Sequence, residues 1–96
     1  MEERFGIAAF RSRQQVLAFA QALHRAGIVA SVVSTPRNIA VGCGLSVRFE
    51  LTDLQAVMQV YRAAQPANLI GFYLAVYDGH GHVNCRPLGI ETGYSG

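Results

Sequence analysis

Residues 35–44, Thr-Pro-Arg-Asn-Ile-Ala-Val-Gly-Cys-Gly, hold the side chains of this 96-residue chain best suited to chemistry. Cys43 is one of two cysteines and is flanked by Gly42 and Gly44. Glycine neighbours remove side-chain cover and permit a positive φ, so a tight turn could leave the sulfur exposed. Arg37 follows Pro36 in the same stretch. A guanidinium favours thiolate over thiol, and the thiolate is the reactive form. Backbone amides around Gly42 and Gly44 could add an anion-binding concavity. The competing reading is a plain hairpin turn, with an incidental thiol and with Arg37 paired to a surface carboxylate. Gly-Cys-Gly has no strict mechanistic signature of the kind a CxxC pair or a phosphate loop carries.

A second constellation lies downstream. His80, His82 and Cys85 are borderline or soft ligands at short spacing, and Cys43 could make a fourth. Yet H-x-H-x-x-C lacks the paired spacing of a zinc knuckle, and its glycines leave the ligands without preorganisation. A metal site there is the weaker alternative, and no resident cofactor is expected. A cysteine–histidine nucleophilic pair would need a fold contact, because no histidine stands near Cys43 in sequence.

Composition narrows the classes. Hydrophobic residues make up 51% and charged ones 15%, a balance for one small globular domain. The longest apolar run, Leu69–Tyr77, falls far short of the ~20 residues that cross a bilayer, so it reads as a buried strand. Met1-Glu2-Glu3-Arg4 lacks the basic start and apolar core of a secretory signal, which leads us to expect a cytoplasmic protein. All eight basic residues are arginines, and they are scattered. Arg11 and Arg13 come nearest to a cluster and read as solvated helix-start charges. No basic stripe of the kind nucleic acid demands is present, and neither nucleic acid nor membrane is an expected partner. Two cysteines so far apart do not make a disulfide framework.

The elements that must position these residues follow from periodicity. Residues 4–10 read as a strand with Phe5, Ile7 and Ala9 on one face. Ser12-Arg13-Gln14-Gln15 has the form of a capping box, and Val16, Phe19, Ala20 and Leu23 make one apolar helix stripe ended by Gly27. His24 falls in that helix's last turn, as a surface cation. Residues 28–34 form a second strand, and Thr35-Pro36 resembles an N-cap and N1 pair opening a helical turn over 36–40. Residues 45–50 alternate, with Leu45, Val47 and Phe49 inward and Ser46, Arg48 and Glu50 outward. Thr52-Asp53-Leu54-Gln55 reads as another capping box, before a stripe of Leu54, Val57, Met58 and Tyr61. Leu69–Tyr77 is the fourth strand.

This order predicts an α+β fold, a ferredoxin-like βαββαβ arrangement of a four-stranded antiparallel sheet with two helices on one face. The cysteine loop would protrude at one end of that sheet. The uncovered face would carry Tyr73, Tyr77, Arg48 and Phe10, a surface suited to a homodimer. Residues 1–78 form the expected domain, and 79–96 a loosely held Gly/His/Cys tail.

Residues 26–28 (Ala-Gly-Ile), 33–37 (Val-Ser-Thr-Pro-Arg) and 42–49 (Gly-Cys-Gly-Leu-Ser-Val-Arg-Phe) resemble the selenium/sulfur carrier-like family of short bacterial proteins. The resemblance covers about residues 5–77 and is most specific over 35–49. It implies that Cys43 is a carrier thiol, holding sulfur or selenium as a persulfide or selenosulfide between donor and acceptor proteins. Arg37 would stabilise the thiolate or the anionic persulfide, with Pro36, Gly42 and Gly44 as binding residues around it. Such a protein is at most a transfer accessory rather than a complete enzyme. Relatives tend to carry serines where this chain has Ala40-Val41-Gly42, so no hydroxyl bond to the chalcogen is implied. The segment after Tyr77 has no counterpart, and nothing is carried over to His80, His82 or Cys85. The alternative on the same fold is a non-catalytic module that binds a metal or small ligand.

Overall fold

The computed structural model describes residues 3–39 and 44–88. The chain runs β1 (Glu3–Phe10), α1 (Arg13–Arg25), β2 (Ala30–Ser34), β3 (Leu45–Phe49), α2 (Leu54–Ala64), β4 (Leu69–Tyr77) and β5 (Val83–Pro87). The sheet order is β2-β3-β1-β4-β5, and every pairing is antiparallel. The α+β class is as expected, but the sheet has five strands rather than four. The additional strand comes from the segment read as a tail. It pairs with β4 from Tyr77↔Val83 to Tyr73↔Pro87, which gives β4 a partner on each side.

The helix ends show why these segments stop where they do. Ser12 caps α1, its hydroxyl accepting from the Gln15 amide at 3.4 Å. Gly27 follows the helix at φ +81°, a conformation that costs glycine nothing. The second capping box does not form. Leu51–Asp53 is a turn of 3₁₀ helix, α2 begins only at Leu54, and no side chain caps it. The tighter turn already engages the Leu54 amide with Leu51 O, which removes a donor that Thr52 would have served. At the far end Gln65 adopts φ +46° and closes α2 as a left-handed cap.

Both helices cover one sheet face. Phe10, Val16, Phe19, Leu23, Val47, Phe49, Val57 and Phe72 are buried there, and each such side chain removed from water contributes about 1.5–3 kcal/mol. The Phe49 ring lies against Gly6 on the neighbouring strand, where a Cβ would collide with it. Glycine here makes room for an aromatic ring. Phe10, expected on the uncovered face, belongs to this core at 1% exposure. It shares the face of Ala8, opposite Ile7 and Ala9, as strand alternation requires, and its ring meets Phe19 at 5.5 Å between centroids.

The opposite face carries a smaller cluster of Phe5, Ile7, Ala9 and Ala75, with Tyr73, Tyr77, Val83, Cys85 and Ile39 packed against it. Arg48 lies on this face with its guanidinium 3.9 Å from the Phe5 ring centre and a 3.7 Å ion pair to Glu3. Ser46, expected outward, does point to this face yet is fully buried. The reason is the loop after β2. Asn38 on that loop donates its side-chain amide to Val83 O at 3.1 Å, although β2 and β5 are opposite edges of the sheet. The accumulated twist of a five-stranded sheet brings two diagonal corners together over one face. The loop start is therefore folded across the sheet instead of protruding from its end.

Candidate functional site

Strand β2 leads into the loop through Thr35, whose amide donates to Gly44 O at 3.1 Å and so closes the foot of the hairpin. The Thr35 and Ser46 hydroxyls share a 2.6 Å hydrogen bond. Thr35 is thus tied to β3. Pro36 to Ile39 makes a single turn, with Ile39 N bonded to Pro36 O at 3.0 Å, within the stretch where a helical turn is expected; Ala40 lies outside the described residues. Ile39 drops into the cluster of the second sheet face, and Asn38 ties the turn to β5. Between these two anchors Arg37 is exposed. Its guanidinium makes no ion pair or hydrogen bond with the other described residues.

A broad groove of about 820 Å³ separates this turn from the β4–β5 connection, with Thr35, Pro36, Arg37 and Asn38 on one wall and Asp78 and His82 on the other. Asp78 organises the second wall. One carboxylate oxygen accepts from the His80 amide at 2.7 Å and from the His82 amide at 3.2 Å. The other meets His82 Nδ1 at 3.1 Å. The His80 amide bond, followed by those from His82, holds the Asp78 carboxyl below its ordinary pKa. The arrangement sets a cation, a carboxylate and an imidazole around one open groove, which suits a polar guest.

The predicted site residues fall into three groups. Arg37 and Pro36 line the groove. Gly44 stands at the hairpin foot, while Gly42 and Cys43 lie outside the described residues. Cys85 is on β5 opposite Ala75, half-buried against the apolar cluster, and burial pushes its thiol above the ordinary pKa. As for the metal alternative, no three His, Cys, Asp or Glu side chains gather among the described residues. His82 is engaged with Asp78, and Cys85 faces hydrocarbon.

Two contributors escaped the sequence reading. Asn38 gave no signal, since an asparagine in a loop is unremarkable. Asp78 did give one: Asp-Gly followed by alternating histidines is turn chemistry, with a carboxylate placed to accept from amides two and four residues on.

Neither a curated protein nor a solved structure matches the chain. A family model described as "Putative Se/S carrier protein-like" matches residues 5–69. That span takes in Arg37, the loop and Cys43, and leaves out Asp78, His82 and Cys85. Most of the chain lies within the match, from β1 to the first residue of β4, and the chain belongs to this Se/S carrier protein-like family.

Proposed function

We propose that the protein carries sulfane sulfur or selenium on Cys43, as a persulfide or selenosulfide, between a donor and an acceptor protein in the cytoplasm. The observation that carries this reading is the extent of the family match, which includes one cysteine of the two. The placement of the other supports it. Cys85 is half-buried with its thiol pushed toward the protonated form, which disfavours it as a nucleophile. In the transfer step the Cys43 thiolate attacks the terminal sulfur of a donor persulfide. A new S–S bond forms at Cys43, the donor's own S–S bond breaks, and the donor departs as a thiolate. No external oxidant or reductant is consumed.

Arg37 is the residue assigned to favour the thiolate and the anionic persulfide. Its exposed position on the groove wall, without a partner among the described residues, leaves its charge available. The scaffold for this chemistry is a ferredoxin-like arrangement formed by β1 to β4 with α1 and α2, to which β5 adds a wall. Copies of the chain pair through the side of Tyr73 and Tyr77. Light scattering should then show a dimer that Tyr73→Glu dissociates, and a monomer at high concentration would remove this part of the proposal.

Alkylation as a function of pH tests the thiolate assignment. A free cysteine titrates near ~8.5, and cationic surroundings bring it down to between ~3.5 and ~7.5. At about pH 6.5, Cys43 should label faster than Cys85, and Arg37→Ala should slow Cys43 alone. Equal labelling of the two thiols, or no response to Arg37→Ala, would leave the loop a plain hairpin turn.

A further inference from the structure

We propose that the outer edge of β2 pairs with β2 of a second copy of the chain, antiparallel about a two-fold axis through Val32, so that two sheets become one. Among the described residues the exposed large hydrophobics are Leu17, Val29 and Val32, and all three border this edge. Val32 lies within β2 and Val29 immediately precedes it. Leu17 stands two turns before His24 on α1, so the two share one side of that helix. His24 reaches the edge itself, with Nε2 2.8 Å from Ala30 O.

The ladder between β2 and β3 fixes which backbone groups face outward. The Thr35 amide donates to Gly44 O at 3.1 Å, and the register runs from Ser34↔Leu45 to Ala30↔Phe49. Hydrogen-bonded pairs alternate in an antiparallel ladder, so Ser31 and Val33 turn their amides and carbonyls to β3. Ala30, Val32 and Ser34 turn theirs away. The bond from His24 to Ala30 O agrees, because it meets a carbonyl that points out of the ladder. The far edge follows the same alternation but is blunted. Bonds from Asp78 N to His82 O and from Leu88 N to Phe72 O leave Val83, Cys85 and Pro87 as the outward positions of β5. Asn38 occupies Val83 O, Pro87 has no amide hydrogen, and Arg86 adds a charge. Strand β2, Ala-Ser-Val-Val-Ser, has neither a charge nor a proline. An open edge beside exposed valines is a template for another strand.

Charge and symmetry choose the occupant. An uncharged strand meets its own copy without the like-charge repulsion that keeps charged edges apart. About an axis through Val32, that residue faces Val32 of the partner subunit, and Ala30 faces Ser34 of the partner subunit. These are the outward positions, so one pairing engages the free amides and carbonyls of both copies. A carbonyl oxygen has two lone pairs, which lets Ala30 O keep the bond from His24. Pairing β2 with β5 of another copy would meet the blunted edge and leave one β2 open, whereas the two-fold arrangement closes. An axis normal to the sheet keeps both helix layers on one side, with Leu17 of each copy beside the seam. The contact is separate from the side of Tyr73 and Tyr77. Its ladder is short, so it belongs to high protein concentration.

The test traps the register in the full chain carrying Cys43→Ser and Cys85→Ser, with Val32→Cys supplying the one thiol. Hydrogen-bonded partners stand about 5.5 Å apart between Cα atoms, within the ~4.4–6.8 Å that a disulfide spans. Under mild oxidation Val32→Cys should form a covalent dimer about tenfold faster or more than Val29→Cys, whose own mate lies far along the strand. Equal rates, or no dimer, would overturn the pairing. Amide exchange on the unsubstituted chain is the second measurement. Raising protein concentration should slow Val32 and Ser34 and leave Ser31 and Val33, already bonded to β3, unchanged. Val32→Lys should abolish that slowing, while Cys43→Ser and Tyr73→Glu should preserve it. A failure here is thus separable from a failure of the carrier reading or of pairing through Tyr73. No dependence on concentration, or slowing at Cys85 together with Val32, would contradict the two-fold arrangement. So would slowing that appears only on adding a foreign strand, such as a synthetic Val-Thr repeat peptide.

Discussion

The two faces of the sheet are built for different purposes. On the helix-covered face, aromatic and branched side chains from β1, β3, β4, α1 and α2 interlock with almost no exposure. On the other face a smaller apolar cluster is closed by half-buried residues from the loop and β5, and polar groups gather at its margin. The first face supplies a core that determines whether the chain folds. The second places Arg37, Asp78 and His82 around an open groove. A domain of this size cannot do both with one layer, because it has apolar surface enough for a single thorough core.

Substitutions should separate the two faces. Phe49→Ala removes a ring packed on Gly6 and Phe72 and should destabilise by about 3–5 kcal/mol in chemical denaturation. A loss near zero would mean that the helix-side core is not the stabilising one. Asn38→Ala breaks the single described hydrogen bond from the turn to β5 and should cost only about 0.5–1.5 kcal/mol. Its larger consequence should be faster amide exchange at Ile39 with α1 and α2 unchanged; uniform acceleration across the chain would contradict the division.

The smallest expected effect concerns Asp78. Its folded pKa lies below the unfolded value, so the contribution of its ionised form is present above the unfolded pKa and fades as pH falls through the folded one. A carboxyl NMR titration should show this depression, and His82→Ala should raise the value slightly, because the amide bonds remain. No depression in the wild-type chain would dissolve the ordered wall of the groove.

Much of the core face was legible in advance. Its helices declare themselves through i, i+3, i+4, i+7 stripes, and β3 through strict alternation, because a side chain's periodicity is dictated by its own backbone. Strand β5 was not legible. Val83 and Cys85 alternate with Asn84 and Arg86 as a strand requires, but Pro87 and the preceding glycines read as turn and tail. Only the unpaired edge of β4 explains why so short a segment orders. Burial of Ser46 and reach of Asn38 were equally hidden, since both depend on sheet twist bringing distant corners together. Arg37 was singled out by type and spacing, and Arg11 and Arg13, read as solvated helix-start charges, are exposed at the start of α1.

Carriage on Cys43 is tested most directly by locating the transferred atom. The chain is incubated with a persulfide donor, the remaining thiols are blocked, and the digested peptides are weighed. The expected result is one additional sulfur on the peptide containing Cys43, none on that containing Cys85, loss of the adduct in Cys43→Ser and its retention in Cys85→Ser. An adduct on Cys85, or on neither cysteine, would contradict it.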